Sequence, residues 1–272
     1  MRVSLTFKKM GSGPNMVILH GLYGSSDNWL TIGKHLSETY TVYLLNLRNH
    51  GDSPNADVHT FDAMSEDVAG FFEEQNLDKA IILGHSMGGK VAMHFAADYP
   101  EKVNCLIVAD IAPKDYTEVD RSKSNFSLHQ TILELLDELD LSQVKTRTEI
   151  DHYLATKLNA VGLRQFLLKN IKRTKEGKFM WRLNVPVLKE YLPRIISEVN
   201  AEWFEDRKPI LRYPVTFIRG LKSKYIMDED IPAIKDIYPD ARIIDIPDAG
   251  HWLHAEQPEL FLQAVLSCVK AG

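Results

Sequence analysis

The amino-acid sequence predicts an α/β fold in which a mostly parallel sheet carries helices on both faces. Short β-rich apolar runs alternate with segments of helical periodicity in both halves of the chain, and several runs are apolar nearly throughout. Strand–helix alternation is typical of parallel sheets, whose strands are continuously apolar because both faces are covered. A long central stretch without a convincing strand predicts a helical insertion.

The strands are predicted in chain order from these runs. The first, Arg2 to Phe7, alternates apolar and polar residues, which is typical of an antiparallel edge strand. The remaining predicted strands are Met16 to His20, Thr41 to Asn46, Lys79 to Gly84, Val103 to Asp110, Pro214 to Arg219 and Ala241 to Ile246.

Helical spacing of apolar residues predicts the helices between these strands. They are Thr60 to Asn76, Met87 to Asp98, Glu229 to Tyr238 and Pro258 to Val269. From residue 113 to 209 the apolar residues recur only at helical spacing. We therefore expect an α/β core of residues 1–112 and 210–272, with a helical cap of residues 113–209 over the carboxyl edge of the sheet.

Composition excludes several classes of protein. The 272 residues are 44% hydrophobic and carry a net charge of −5, which argues against electrostatic binding of nucleic acid. Cys105 and Cys268 fall in predicted buried elements and favour two core thiols in a reducing compartment. No apolar run approaches the roughly 18 residues of a membrane span, and none marks a signal peptide. We expect a cytoplasmic protein, a monomer or homodimer, that binds a small molecule.

The segment Gly84 to Gly88 matches the G-x-S-x-G pattern and predicts a serine nucleophile at Ser86. It lies directly between a predicted buried strand and a predicted helix, which is the context that this motif requires. Glycines on either side allow neighbouring backbone to pass close to a strained turn. The following helix directs amide N–H groups towards developing negative charge.

A serine hydroxyl needs a base, and His251 is the best candidate. It follows the last predicted strand, so it should reach the same carboxyl edge of the sheet as Ser86. His254 is the main rival. His85 is adjacent to Ser86 in the sequence, and its side chain should therefore point elsewhere.

We expect Asp110 to be the acid that orients the histidine, with two other carboxylates as alternatives. Asp110 closes an apolar strand, where a carboxylate should be buried and in need of a hydrogen-bond donor such as an imidazole. Asp228 and Asp230, which follow the strand at Pro214 to Arg219, are the alternatives.

The loop after the second predicted strand, His20 to Gly24, is the candidate oxyanion site. Acyl transfer places negative charge on the former carbonyl oxygen, and two backbone N–H donors stabilise it. We expect these donors to be Leu22 N–H and Met87 N–H. His20 is expected to brace the loop through hydrogen bonds rather than to take part in the chemistry.

Four motifs in order resemble the α/β-hydrolase superfamily: HGLYGSSDNW at residues 20–29, LRNHGDS at 47–53, GHSMGG at 84–89 and AGHWLHAEQP at 249–258. The segments VADIAPKDY, RLNVPVL and HWLHAE are similar to small bacterial esterases of the YbfF type. This resemblance implies the α/β-hydrolase fold, carboxylesterase activity and Asp110 as the acid. It also implies that Ser223 joins the hydrogen-bond network of the acid.

The predicted activity is that of a serine carboxylesterase that hydrolyses short- to medium-chain acyl esters through an acyl-enzyme, without cofactor or metal. Acyl-CoA thioesters are a further substrate class to consider. A basic run in the insertion would then contact CoA phosphates, and Trp181 would line an acyl pocket. The run comprises Lys169, Lys172, Arg173, Lys175 and Lys178.

Two other functions remain open on the sequence alone. A C–C lyase or hydrolase of the menaquinone-pathway type shares the HG and GHSMGG signals, and its acidic substrate would need arginines such as Arg48 and Arg182. A ligand receptor that keeps the triad with little turnover is the second alternative.

Overall fold

The computed structural model describes residues 1–117 and 125–269. Its strands are β1 (Phe7–Met10), β2 (Asn15–Leu19), β3 (Thr41–Leu45), β4 (Ala80–His85), β5 (Val103–Ala109), β6 (Ile171–Arg173), β7 (Phe179–Trp181), β8 (Val215–Gly220) and β9 (Arg242–Ile246). Seven of them form one sheet in the order β1-β3-β2-β4-β5-β8-β9. β1 pairs antiparallel with β3, and the other neighbours in this sheet are parallel.

The helices are α1 (Leu30–Leu36), α2 (Phe61–Glu74), α3 (Met87–Asp98), α4 (Asn125–Glu138), α5 (Arg147–Ala155), α6 (Val161–Leu168), α7 (Val185–Ser197), α8 (Ile231–Ile237), α9 (Leu253–Glu256) and α10 (Pro258–Val269). Alternate side chains of the strands in the seven-stranded sheet enter two separate cores. Met16 and Ile18 of β2 belong to the core that includes residues of α1 and α10, whereas Val17 and Leu19 belong to the core that includes residues of α2, α3 and α8. The predicted α/β fold, with helices on both faces of the sheet, is confirmed.

The prediction for the first strand is wrong in its position. The strand spans Phe7–Met10, whereas Arg2 to Phe7 was expected. In the residues before the strand, backbone N–H groups bond to side chains and not to a neighbouring strand. Val3 N–H donates to Asp67 Oδ1 at 2.7 Å, and Thr6 N–H donates to Ser53 Oγ at 2.9 Å.

The insertion contains strands, which corrects the expectation that it is wholly helical. β6 and β7 form an antiparallel hairpin through the basic run. Ile171 and Phe179 are buried, and the Arg173 guanidinium lies 4.3 Å from the centroid of the Phe179 ring. Strands of three residues are too short for a two-residue periodicity to be visible in the sequence.

Helix α8 begins at Ile231, two residues later than expected, because Asp228–Asp230 form a 3₁₀ turn. The helices α1 and α9 were not expected. Both have seven residues or fewer, a length at which helical periodicity is weak.

Polar contacts hold the segment between β5 and β8 against loops at the carboxyl edge of the sheet. Asn170 Nδ2 donates to the Tyr23 carbonyl at 2.8 Å, and Asn184 N–H donates to the Asn49 carbonyl at 3.0 Å. The buried Lys90 Nζ donates to backbone carbonyls of Lys114, Ile196 and Glu198. The three N–H donors of an ammonium group thereby all find acceptors. The division of the chain into a core and a cap stays a prediction.

A buried ion pair fastens the loop after β3 to α2. Arg48 Nε and Nη2 donate to the two carboxylate oxygens of Asp67 at 2.6 and 2.7 Å. Both side chains are almost fully inaccessible to solvent. Arg48 also donates to the carbonyls of Val58 and Ala63. This pair therefore has the geometry and additional hydrogen bonds that a buried charge requires.

We predict that Asp67→Asn destabilises the protein strongly, because it leaves the Arg48 charge buried without its counterion. The expected loss is about 3–5 kcal/mol in the free energy of unfolding, measured by urea denaturation. The matched control is Glu73→Gln, whose exposed ion pair with Arg2 is expected to contribute about 1 kcal/mol or less. Equal effects of the two substitutions would contradict the prediction.

Candidate active site

Ser86 lies on a strained turn between β4 and α3. Its backbone has φ 54° and ψ −123°, a positive-φ conformation that is rare for any residue except glycine. A Cβ on Gly84 would overlap the Gly88 carbonyl oxygen, and a Cβ on Gly88 would lie 2.5 Å from the His20 carbonyl oxygen. Gly88 therefore lets the end of β2 and the following loop pass close to the start of α3, and Gly84 lets the end of β4 approach the same helix.

The structure brings Ser86, His251 and Asp110 together in one hydrogen-bonded chain. Ser86 Oγ lies 3.0 Å from His251 Nε2, and His251 Nδ1 lies 2.8 Å from Asp110 Oδ2. These residues follow β4, β9 and β5, whose carboxyl ends share one edge of the sheet. Nδ1 donates to the carboxylate, which leaves Nε2 free to accept the serine proton.

The Asp110 carboxylate is completely buried, and three donors surround it. Besides His251, Gly220 N–H donates to Oδ1 at 3.1 Å and Ser223 Oγ–H donates to Oδ2. Such bonds offset the cost of removing a carboxylate from water. Ser223 Oγ itself accepts from Tyr225 N–H at 3.2 Å, so the loop after β8 is ordered around this carboxylate.

The alternative acids make ion pairs elsewhere. Asp228, with a side chain that is 89% exposed, lies 2.7 Å from Arg219 Nη1. Asp230 lies 2.7 Å from Lys114 Nζ and accepts from Met227 N–H. Neither of these aspartates hydrogen bonds to His251 in the structure.

The rival histidines have other contacts. His254 is buried and stacks on the Trp29 ring, with centroids 4.3 Å apart. His85 Nε2 donates to the His251 carbonyl at 2.8 Å, so its side chain supports the backbone of the candidate base.

The candidate oxyanion donors belong to residues that border Ser86. Leu22 and Met87 both line a cavity that reaches this serine. Within residues 1–117 and 125–269, neither of their N–H groups donates a hydrogen bond. Their role as an oxyanion hole stays a prediction.

His20 hydrogen bonds within its own loop and to the loop that follows β3. Its Nε2 accepts from Leu47 N–H at 3.0 Å, and its Nδ1 donates to the Gly21 carbonyl at 2.9 Å. This pattern uses both nitrogens of a neutral imidazole and is consistent with bracing of the loop.

Two cavities meet at Ser86. The larger cavity, of about 180 Å³, is lined by residues that include Leu128, Ile132, Leu163, Phe166, His251 and Trp252. The smaller cavity, of about 30 Å³, is lined by residues that include Met87, Lys90, Ile111, Tyr116, Ile195 and Ile196. Leu22, Ser86, His129 and Tyr225 line both cavities.

Several residues that were expected near a substrate do not line these cavities. Arg48 pairs with Asp67, and Arg182 bonds to Asp27 and Asp52, each at 2.8 Å. Trp181 Nε1 donates to a backbone carbonyl in α4. The five residues of the basic run also lie outside the lining of both cavities.

Sequence reasoning missed Tyr225, which forms part of the site. Its ring stacks on the His251 imidazole with centroids 3.8 Å apart and planes at 19°. Tyr116 Oη donates to the Tyr225 carbonyl at 2.6 Å, and His129 Nε2 lies 3.4 Å from Tyr225 Oη. No local pattern marks this residue, because its proximity to His251 arises only when β8 and β9 pair.

Burial keeps four histidines neutral, and three of them, His20, His129 and His254, line the larger cavity. Desolvation lowers the pKa of His20 and of His254 to about 3, and the pKa of His50 and of His129 to about 4. The neighbouring His50 lowers the pKa of His20 further. A cavity bordered by uncharged imidazoles favours an uncharged ligand.

In the residues that the structure describes, no cluster of three or more His, Cys, Asp or Glu side chains is arranged to hold a metal ion. The helices among those residues also include none with the length and apolar character needed to cross a membrane.

The fold and the position of Ser86 define the class of protein. The sequence matches the family described as alpha/beta hydrolase fold over residues 14–258. The chain belongs to this family.

Among individual proteins, the chain is 34% identical over 256 residues to the sn-1-specific diacylglycerol lipase ABHD11 of Mus musculus, covering 93% of this chain and 80% of that protein. It is also 34% identical over 250 residues to esterase YbfF of Escherichia coli K12, covering 92% and 91%. A solved structure described as a marine microorganism esterase is 44% identical, with a TM-score of 0.92 and coverage of 98% and 99%.

We predict that the protein loses stability in mild acid because of its buried neutral histidines. Their folded-state pKa values lie below the unfolded value near 6.5, so below that pH the unfolded chain binds protons that the folded protein does not. The free energy of unfolding should fall by about 1.4 kcal/mol per pH unit for each such histidine, from about pH 6.5 towards pH 4.

Urea unfolding at about pH 7 and about pH 5 measures this loss, to which carboxylates also contribute. His50→Gln tests the contribution of one histidine. It should reduce the slope of the free energy of unfolding against pH by about 1.4 kcal/mol per pH unit, whatever its effect on stability at neutral pH. An unchanged slope in this variant would show that burial does not lower the pKa of His50.

Proposed function

We propose that this chain is a serine carboxylesterase that hydrolyses short- to medium-chain acyl esters. The observation that carries the proposal is the hydrogen-bonded chain from Ser86 Oγ through the His251 ring to the buried Asp110 carboxylate. A serine, an imidazole and a carboxylate in this order form the arrangement that activates a hydroxyl for acyl transfer. The names of similar proteins, an esterase and a lipase, support the same class of reaction.

In the acylation step, Ser86 Oγ attacks the ester carbonyl carbon while its proton passes to His251 Nε2. The carbonyl π electrons move to the oxygen, and the N–H groups of Leu22 and Met87 stabilise the resulting negative charge. When the carbonyl re-forms, the bond to the alcohol oxygen breaks and His251 transfers its proton to that oxygen. The products are free alcohol and an acyl ester of Ser86.

In the second step, water attacks the acyl carbonyl carbon while His251 Nε2 takes one of its protons. The bond between Ser86 Oγ and the acyl carbon then breaks, the carboxylic acid is released, and the proton returns from His251 to Ser86 Oγ. Asp110 keeps the Nδ1–H tautomer of His251 and stabilises its positive form during both steps. Ser223 and Gly220 N–H hold Asp110 in place, and the Tyr225 ring supports one face of the imidazole.

The surroundings of Ser86 support an uncharged acyl ester as the substrate. The larger cavity presents mostly apolar side chains together with neutral histidines such as His129 and His254. Among the alternatives, thioesters of CoA gain no support from the basic run, in which Lys172 lies 3.6 Å from Asp52 and Arg173 donates to backbone carbonyls. The ion pairs of Arg48 and Arg182 likewise give no support to an acidic lyase substrate.

Ser86→Ala is predicted to abolish hydrolysis of p-nitrophenyl esters from acetate to palmitate while leaving the fold intact, because no nucleophile remains to form the acyl-enzyme. Initial rates and circular dichroism of the same preparations measure the two properties. Ser37→Ala, at the end of α1, is the matched control and should retain the wild-type rate. Wild-type-like turnover by Ser86→Ala would refute the proposal.

Asp110→Asn is predicted to lower kcat by about 10³- to 10⁴-fold, because an amide cannot stabilise the imidazolium or maintain the Nδ1–H tautomer. The control Asp228→Asn removes only an exposed partner of Arg219 and should change kcat by no more than about twofold. Steady-state kinetics on one p-nitrophenyl ester compares them. A larger effect of Asp228→Asn, or of Asp230→Asn, would assign the acid to that residue instead.

A further inference from the structure

The two cavities that meet at Ser86 differ in their access to the candidate base. His251 lines the larger cavity and is absent from the lining of the smaller one. Ser86 lines both cavities. An ester carbonyl carbon bonded to Ser86 Oγ carries an acyl chain on one side and the alcohol oxygen on the other, so each cavity can receive one of these groups.

The leaving alcohol must receive a proton from His251 Nε2. Proton transfer requires hydrogen-bond reach, about 2.6–3.2 Å between heavy atoms. The ester oxygen that departs therefore has to lie on the side of Ser86 where the His251 ring is exposed, which is the larger cavity. The acyl group then has only the smaller cavity left.

We propose that the smaller cavity is the acyl site and the larger cavity the alcohol site, so that the protein takes esters of short acids with larger apolar alcohols. This inference rests on the proposed function and narrows its substrate class. During acylation the Ser86 Oγ–carbonyl bond forms beside the smaller cavity. The carbonyl–alcohol bond breaks, and the proton passes from Ser86 through His251 to the alcohol oxygen in the larger cavity.

The volume of the smaller cavity limits the length of the acyl chain. A water-sized group needs about 10–15 Å³ of such space, so a cavity of about 30 Å³ accepts about two or three non-hydrogen atoms beyond the carbonyl carbon. The longest acyl groups that fit are therefore propanoyl or butanoyl, and the shorter acetyl group also fits.

The walls of the smaller cavity are held firmly. Lys90 Nζ donates to the backbone carbonyls of Lys114, Ile196 and Glu198, which ties the end of α7 to α3 and to the segment after β5. Tyr116 Oη bonds to the Tyr225 carbonyl and accepts from Ala112 N–H at 2.8 Å. A longer chain would have to displace these buried groups, and overpacking of a filled interior is costly.

The larger cavity accepts a bulkier group because it is wider and apolar. Leu128 and Ile132 of α4 and Leu163 and Phe166 of α6 contribute to its wall, and Leu128 is 42% exposed. An apolar alcohol gains binding energy from burial against these side chains.

Two isomeric esters test the orientation, since hexyl acetate and ethyl hexanoate have the same atoms but exchange the sizes of acid and alcohol. We expect kcat/KM for hexyl acetate to exceed that for ethyl hexanoate by about tenfold or more, because the hexanoyl chain overfills the smaller cavity. Equal values, or a preference for ethyl hexanoate, would overturn the inference.

Ile196→Ala tests which cavity holds the acid. It removes three carbon atoms from the wall of the smaller cavity, so the preference for hexyl acetate should fall severalfold. The matched control Ile132→Ala makes the same truncation in the larger cavity and should not lower this preference. Ile196→Val gives a smaller change in the same direction if the alanine variant does not fold. A fall in the preference with Ile132→Ala alone would overturn the inference.

Failure of this inference differs from failure of the proposed function. If the wild type hydrolyses both isomers through Ser86 without the expected preference, the assignment of the two cavities is wrong and the esterase proposal stands. If neither these isomers nor any p-nitrophenyl ester is hydrolysed, the esterase proposal is wrong, and so is the assignment of acyl and alcohol groups to the two cavities.

Discussion

The fully buried carboxylate of Asp110 is the constraint on which the rest of the site depends. A charge without access to water is stable only when protein donors surround it. Three donors from separate segments meet this carboxylate: Gly220 N–H at the end of β8, Ser223 Oγ–H in the next loop and His251 Nδ1–H after β9. Their convergence fixes the carboxyl ends of β5, β8 and β9, and it leaves His251 Nε2 within 3.0 Å of Ser86 Oγ.

The segment between β5 and β8 gives the site its shape, whereas the residues of the proposed chemistry follow strands of the sheet. Helices α4, α6 and α7 supply cavity walls through side chains such as Ile132, Phe166 and Ile196. Lys90, buried on α3, attaches the end of α7 to the structure beneath it. The size of both cavities thus depends on how this segment packs, whereas the turn at Ser86 belongs to the sheet.

Most strands, the long helices of the sheet and the grouping of Ser86 with His251 could be predicted from the sequence, because apolar periodicity and glycine spacing are local. The position of Asp110 directly after an apolar strand favoured it as the acid, but local pattern left Asp228 and Asp230 open as alternatives. These carboxylates differ in how deeply they are buried. The burial of Asp110 depends on contacts with residues more than 100 positions away. The role of Tyr225 and the hairpin of β6 and β7 were also not predicted, because each depends on tertiary packing.

The central claim is that Ser86 carries the acyl group during turnover. The most direct measurement is mass spectrometry of the protein after an acid quench during hydrolysis of p-nitrophenyl acetate. The account predicts one added acetyl group, located by proteolysis on the peptide that contains Ser86. Rapid ester hydrolysis without acetyl on that peptide, or with acetyl on another side chain, would contradict the account.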